Sequence, residues 1–261
     1  MDHLRIIQDE TARFVDALRD VDPAAPVPTC PPWTASELLW HLTEVHAFWA
    51  RILASGALTD EDAEQVVEGK PARPDDHAAV ITLLETETAA MVTELAGRED
   101  AQRAWSWFAT DQTVGFTRRM QVHEATMHRV DAEATAGVES APISAEVAAD
   151  GISHAIEVML AWWGTRPGFA FHPNVGAVEL HLDDAQSRLV VGGRWRGTGQ
   201  SGEVHDEPGI AFVAEGESVA TISGSAEETY RWLWGRGPEP TTSGDRSALD
   251  AVRTAQAHGM Q

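Results

Sequence analysis

MQVHEATMHRVDAE, residues 120–133, has the pattern of a helix and decides how the N-terminal half of this 261-residue chain is interpreted. Four residues of α-helix turn through about 400°, so Glu124 and His128 lie one above the other on one face. Asp131 follows one turn later on that face, beside Met120 and Met127. The segment therefore predicts a helix that turns a carboxylate and an imidazole to the same side as its large apolar residues.

An earlier helix directs a further histidine toward the same interior. Leu38, Leu42 and Val45 recur at helical spacing and define its inner stripe. His41 lies three residues after Leu38 and four before Val45, so it is predicted to point inward. His46 is five residues beyond His41, about 140° around the helix, and is expected to face outward.

His41, Glu124 and His128 therefore converge on one interior, and facing helices that supply His and Glu side chains inward build the metal sites of helical bundles. A single Glu-x-x-x-His pair is weak evidence because it recurs as an ordinary i,i+4 contact, and a buried histidine is commonly a hydrogen-bonded core residue. Three convergent groups are stronger evidence, since an unpaired buried carboxylate costs several kcal/mol. His123 and His154 compete as ligands, but neither falls on as clear an inward stripe.

The helical pattern extends on both sides of these segments. The second helix has the clearest start, PPWTASELLWHL (residues 31–42), where Thr34 and Glu37 fit a capping box and Trp33 with Leu38 fits a hydrophobic staple. Further helices are expected over residues 3–20, 76–96 and 113–136, with a fifth from Ser144. This set predicts a four-helix bundle with one extra element.

The character of the sequence changes after WWGTRPGFAFHPN, residues 162–174. Gly and Pro become frequent, and the alternating runs AVELHL, RLVV, IAFVAE and VATISG predict strands. Ser225 and Glu228 cap another helix, and a last helix follows Asp245. We therefore expect an α+β protein, with a helical bundle over residues 1–168 and a small mixed α/β domain over residues 169–261.

Charge and hydropathy exclude several function classes. The net charge is −22 and Lys70 is the single lysine, so the clustered bases that nucleic acid or an anionic membrane requires are missing. No apolar run approaches the roughly 18 residues of a membrane-spanning helix, and the N-terminus has no signal-peptide pattern, so a cytoplasmic location is expected. One cysteine, Cys30, cannot form an internal disulfide and is expected to be a small buried residue rather than a nucleophile.

Three segments carry a resemblance to a known family: PTCPPWTASELLWHLTEVH (28–46), VGFTRRMQVHEATMHRVDAE (114–133) and ISGSAEETYRWLWGRGPEPTTSGD (222–245). In order and spacing they resemble the mycothiol-dependent maleylpyruvate isomerase family of actinobacteria. The resemblance implies a DinB-like four-helix bundle followed by a domain similar to sterol carrier protein. One departure is Pro31-Pro32-Trp33, where the family usually has Pro-Gly-Trp, and it concerns the helix entry rather than the site.

The resemblance also implies a site. The family's metal ligands fall on His41, Glu124 and His128, the three residues already selected by helix geometry. The implied ion is divalent, zinc first, and two histidines with one carboxylate leave the open position of a catalytic zinc site. Iron, nickel or cobalt would suit the same ligands. Asp131 has two open roles, as an acceptor that orients His128 or as the cap of a surface network.

The family has a functionally important arginine in its C-terminal domain. The resemblance places it at Arg236, with Arg231 and Arg246 as nearby alternatives. An arginine at this position would suit a substrate carboxylate through a bidentate pair.

The chemistry implied by these residues uses a thiol from outside the protein. A thiol bound to a dipositive ion is deprotonated, and no cysteine lies on a predicted inner face. The resemblance implies mycothiol as this thiol and a small electrophile as the second substrate. Addition to a conjugated double bond followed by departure of the thiol gives isomerisation, whereas a thiol that stays attached gives a conjugate.

Two alternatives belong to other classes: a metal-dependent hydrolase, and a non-catalytic metal-containing protein that binds an apolar ligand. Binding of mycothiol to the metal-loaded protein separates them from the thiol enzyme. The oligomeric state is left open by the sequence.

Overall fold

The computed structural model describes residues 1–259 and forms two compact units, the first Met1–Ala141 and the second beginning at Pro142. The helices of the first unit are α1 (His3–Leu18), α2 (Ala35–Ser55), α3 (Asp60–Glu68), α4 (His77–Ala96) and α5 (Val114–Ala136). Helix α2 lies along α4, and α1 lies along α5, which confirms the predicted bundle.

Helix α3 is absent from the predicted set. It begins with a capping box made by Thr59 and Asp62, but Ala63 is its one buried residue. A helix that buries so little has no apolar stripe for periodicity to detect.

Helix α5 is enclosed on nearly all sides. From Met120 to Glu133 every residue is buried except Glu124, which is partly exposed. The fully buried guanidinium of Arg129 bonds Glu10 of α1 (Nε to Oε2, 2.5 Å) and Glu133 one turn onward (Nη1 to Oε2, 2.7 Å). These ion pairs tie α1 to α5 and satisfy charges that the core would otherwise exclude.

Helix α2 starts as its sequence predicts. Thr34 Oγ1 accepts from the backbone N–H of Glu37 at 3.3 Å, and the Glu37 carboxylate accepts from the backbone N–H of Thr34 at 2.6 Å. The capping box is therefore confirmed. Trp33, just before the cap, packs against the core cluster that contains Leu38.

The second unit begins with α6 (Ala145–His154), which continues into a π-helical turn (Ala155–Met159) and then a 3₁₀ turn (Trp162–Thr165). Six strands follow, with α7 (Ala226–Leu233) before the last strand and α8 (Arg246–His258) after it. The strands are β1 (Ala170–Pro173), β2 (Ala177–Leu182), β3 (Arg188–Thr198), β4 (Val204–Val213), β5 (Ser218–Gly224) and β6 (Thr241–Gly244). This mixed composition confirms the α+β class.

Strand β3 organises the sheet. It pairs antiparallel with β4 along nearly its whole length, so β1 and β2 share its other edge. Strand β2 then pairs in parallel with β5, and β5 pairs antiparallel with β6. The strands β1 and β6 were not predicted because four residues are too short to display alternation.

The two compact units divide earlier than the boundary predicted between residues 168 and 169. Helix α6, which the predicted boundary assigns to the first domain, packs against α7 in the second unit. The approach is close: a Cβ added at Gly151 would lie 2.3 Å from Cε2 of Tyr230. An apolar stripe packs on any apolar partner, so periodicity alone does not identify which unit receives a helix.

Among the residues described, no helix combines the length and the apolar character needed to cross a membrane.

Candidate metal centre

Helices α2 and α5 bring together the three residues that were predicted as ligands. Nε2 of His41 lies 3.0 Å from Oε1 of Glu124, and Nε2 of His128 lies 3.2 Å from the same oxygen. One ligand atom from each of the three side chains lies within 4.8 Å of the others. Within residues 1–259, no other group of three or more His, Cys, Asp or Glu side chains meets this criterion.

The donor set fits a divalent transition-metal ion. Tetrahedral zinc with bonds of about 2.0–2.1 Å separates its ligand atoms by about 3.3 Å, close to the separations between the Glu124 oxygen and the two imidazole nitrogens. The side chain of His41 is 35% exposed and that of Glu124 is 24% exposed, whereas that of His128 is 9% exposed. The cluster is therefore partly exposed to solvent at His41 and Glu124, whereas His128 is enclosed.

Asp131 fixes the orientation of His128. Its carboxylate is fully buried, and Oδ2 lies 2.9 Å from His128 Nδ1. An ionised carboxylate only accepts, so Nδ1 carries the proton and Nε2 is directed at the Glu124 side of the ring. Of the two roles open for Asp131, the structure places it behind His128 and not in a surface network.

The charged groups of the cluster shift one another's pKa values. Burial opposes the charged imidazolium of His128, but the hydrogen bonds and charges of Asp131 and Glu124 raise its pKa to about 9. Burial likewise favours a neutral Glu124, yet hydrogen bonds and charge from His128 and His41 bring the pKa of this carboxyl well below its usual range. Glu124 is thus a carboxylate at neutral pH, the form in which it coordinates a cation.

The ring of Trp33 packs against the imidazoles of His41 and His128. Its ring centroid lies 4.8 Å from that of His41 and 6.1 Å from that of His128. The sequence predicts Trp33 only as part of the hydrophobic staple. Trp33 comes immediately before the N-cap of α2, the helix that carries His41, and this position was the sequence feature that could have indicated its contact with the histidines.

His46 does not face outward as predicted. It is fully buried, with Nδ1 2.8 Å from the hydroxyl oxygen of Thr88 on α4. Helix α2 meets both α4 and α5, so it buries two faces, and the angle from one stripe did not reveal the second. The competing histidines are also buried, His123 on α5 and His154 stacked on Trp234 in the second unit, and neither belongs to the cluster.

Arg236 lies in the second unit, on the turn that follows α7. Its Nη1 donates to the Trp234 carbonyl oxygen at 2.6 Å, and its side chain is partly exposed. Of the two alternatives, Arg231 is held by Glu227 at 2.8 Å, and Arg246 is 91% exposed beside Asp250. A hydrogen bond within its own turn therefore helps to position Arg236, and an ion pair with Glu227 helps to position Arg231.

Two family models match the chain. The model described as the mycothiol maleylpyruvate isomerase N-terminal domain matches residues 4–133, and the one described as the MDMPI C-terminal domain matches residues 146–251. No curated protein gives a significant match.

Two solved structures resemble the chain in fold. The crystal structure of a mycothiol-dependent maleylpyruvate isomerase is 16% identical, with a TM-score of 0.59 over 94% of this chain and 93% of that one. The crystal structure of a mutant of a mycothiol-dependent maleylpyruvate isomerase is 17% identical, with a TM-score of 0.57 over the same shares of the two chains.

Proposed function

Because this chain belongs to the mycothiol maleylpyruvate isomerase family and is an enzyme of that class, we propose that it isomerises a small conjugated electrophile with mycothiol as its thiol cofactor. The site would consist of one divalent ion held by His41, Glu124 and His128. The observation that carries this proposal is the convergence of these three side chains on one another, partly open to solvent, inside a helical bundle.

The three side chains would each have a defined task. Binding of the ion would displace the proton that the raised pKa of His128 keeps on Nε2 in the metal-free protein, after which His41 and His128 would each offer a neutral nitrogen. Glu124 would supply the single negative charge among the three ligands, so the bound ion would keep a net positive charge. A divalent ion with an open position lowers the pKa of a thiol that joins it. Zinc is the first choice, and iron, nickel and cobalt accept the same donors.

The thiol would come from solution. Cys30 is the single cysteine of the chain, and its Sγ lies 3.4 Å from Oδ2 of Asp131, behind His128. It is therefore separated from the open side of the cluster by the residue that orients the histidine. Mycothiol is the thiol that the family description and the two similar crystal structures name.

The isomerisation needs no oxidant or reductant. The thiolate sulfur adds to one carbon of a cis double bond, and the π electrons move to the conjugated carbonyl oxygen. The bond that was double is now single and rotates. The electrons then return, the C–S bond breaks, and the thiolate leaves with the trans product formed. If the adduct takes up a proton at carbon instead, the product is an S-conjugate.

Arg236 would bind the carboxylate of an acidic substrate such as maleylpyruvate. A guanidinium presents two parallel N–H groups that match a carboxylate. The support is its place on the turn after α7, together with the family resemblance of the segment that contains it.

Metal content and turnover test the proposal together. The protein should carry about one equivalent of divalent metal and convert maleylpyruvate to its trans isomer when mycothiol is present. His41→Ala and Glu124→Ala should lose most of both, because each removes a donor. Glu68→Ala, on the exposed face of α3, is the matched control and should retain both.

The products distinguish the alternatives. A stable mycothiol adduct without isomer would identify a transferase. Full metal occupancy in both ligand variants would refute the ligand set. A metal-loaded protein that binds no mycothiol would leave hydrolysis or ligand binding as its function.

A further inference from the structure

The loop between α1 and α2 contacts Asp131, the residue that is hydrogen-bonded to His128 of the proposed metal site. Thr29 Oγ1 donates to Oδ1 of Asp131 at 2.5 Å, across 102 positions of sequence. Cys30 Sγ lies 3.4 Å from Oδ2 of the same carboxylate. The loop thus reaches Asp131 on α5, the residue that in turn contacts His128.

The loop has its own backbone hydrogen bonds, so the position of Thr29 is defined. The backbone N–H of Val27 donates to the Trp33 carbonyl at 2.8 Å, and the N–H of Trp33 donates to the Cys30 carbonyl at 2.8 Å. Trp33 at the end of this segment packs its ring against both His41 and His128. The same loop therefore contacts the two histidine rings through Trp33 and the Asp131 carboxylate through Thr29 and Cys30.

The two oxygens of Asp131 have different partners. Oδ2 receives Nδ1–H of His128 at 2.9 Å, and Oδ1 receives the Thr29 hydroxyl. Rotation of the carboxylate would lengthen both bonds at once. The hydroxyl of Thr29 consequently holds the plane of the carboxylate in the orientation that the imidazole needs.

We propose that Thr29 is a positioning residue of the metal site, which acts through Asp131 to hold the tautomer and orientation of His128. The inference rests on the proposed metal site. A partner that orients a ligating histidine affects metal affinity by about 10–100-fold, and Thr29 would act one bond further out. Its effect should therefore lie at the lower end of that range.

Zinc affinity of the full-length chain measures this role without any substrate. The metal-free protein is titrated with Zn²⁺ in competition with a chromophoric chelator. Thr29→Val keeps the shape and removes the hydroxyl, so it should weaken zinc binding about 10-fold. Thr29→Ser keeps the hydroxyl and should bind within about twofold of the original protein. Thr82→Val, on the exposed side of α4, is the matched control and should bind as tightly as the original.

A double-mutant cycle separates positioning from loop stability. If Thr29 acts through Asp131, Thr29→Val should have little further effect on zinc affinity once Asp131→Asn is present. A loss that is the same in both backgrounds would mean that Thr29 supports the loop only, and would overturn the proposal. The Nδ1–H proton of His128 should also exchange with solvent faster in Thr29→Val than in Thr29→Ser, as followed by NMR of the zinc-loaded protein.

The outcomes are distinct from those of the proposed function. If the original protein binds zinc and Thr29→Val binds it equally well, the positioning role fails and the metal site stands. If the original protein and all variants bind no divalent ion, the metal site fails and the positioning role with it. If Thr29→Val does not fold, Thr29→Ala takes its place in the cycle, and an affinity equal to that of the original protein refutes the role.

Discussion

At the scale of single residues, His46 links the stability of the first unit to pH. Its imidazole is fully buried, and the hydroxyl of Thr88 already donates to the Leu84 carbonyl, so this hydroxyl accepts from Nδ1–H of His46. Burial lowers the pKa of His46 to about 3; the charge of Glu124 opposes this, and those of His128 and His41 add to it. The imidazole of His46 is therefore neutral in the folded protein. In the unfolded chain its pKa has the ordinary value near 6.5, so it becomes protonated below that pH.

The sign of the effect follows from this difference. The folded pKa lies below the unfolded one, so the stabilisation is complete above about pH 6.5 and is lost as the pH falls toward 3. At pH 5 the loss amounts to about 2 kcal/mol. In denaturant titrations of the metal-free protein, the original should lose about this much more stability than His46→Gln between pH 7 and pH 5. His181→Gln changes a histidine whose side chain is 52% exposed and should follow the original. Equal losses in the original and His46→Gln would contradict the prediction.

The clustering of the three proposed ligands could be predicted from the sequence because it depends on local helical spacing. Glu124 and His128 share one helix face, and His41 stands on a single apolar stripe, so helical angles alone placed all three inward. The contacts of Trp33 with the two histidines and of Thr29 with Asp131 could not be found in this way. Both come from a loop, whose course depends on tertiary contacts that no periodicity encodes.

At the scale of elements, the ion pairs of Arg129 join α1 to α5. The guanidinium is fully buried, and besides Glu10 and Glu133 it donates to the Ala141 carbonyl at 2.7 Å. Removal of one member of a buried charge cluster leaves uncompensated charge, which costs about 3–5 kcal/mol. Arg129→Ala should lower the free energy of unfolding by that amount, as measured by denaturant titration.

The matched control is an ion pair on the outside of α1. Arg5 lies 3.4 Å from Asp9, with side chains 76% and 57% exposed. Exposed pairs contribute about 0–1 kcal/mol, so Arg5→Ala should change the stability little. A similar small change in Arg129→Ala would mean that the buried carboxylates find other partners.

The elements also show where sequence patterns lose information. Helix α5 is buried on nearly every side, so its charged residues do not mark a solvent-exposed face. Buried charges such as Arg129 and Glu133 are explained by the ion pairs that they form. Helix α6 has a clear stripe, yet the stripe packs on α7 and not in the bundle. Existence of a helix follows from local periodicity, while its partner depends on contacts far apart in sequence.

At the scale of the whole molecule, the question is whether the second unit takes part in catalysis. The three proposed metal ligands all lie in the first unit, and Arg236 lies in the second. If Arg236 binds the substrate carboxylate, its loss should leave metal content unchanged while weakening use of an acidic substrate. If the second unit served only to stabilise the chain, loss of Arg236 would not weaken the use of an acidic substrate while metal content stayed unchanged.

Arg236→Ala tests the point directly. Truncation of a buried, hydrogen-bonded charge pair costs about 2–5 kcal/mol, so kcat/KM for maleylpyruvate should fall by roughly 30-fold or more, with zinc content unaltered. Arg246→Ala, which changes a side chain that is 91% exposed, should retain the original kcat/KM. With a neutral electrophile that lacks a carboxylate, the two variants should become alike, because no anion remains for Arg236 to bind. If Arg236→Ala turns over maleylpyruvate as the original does, the arginine has no part in recognition, and Arg231→Ala becomes the variant to measure next.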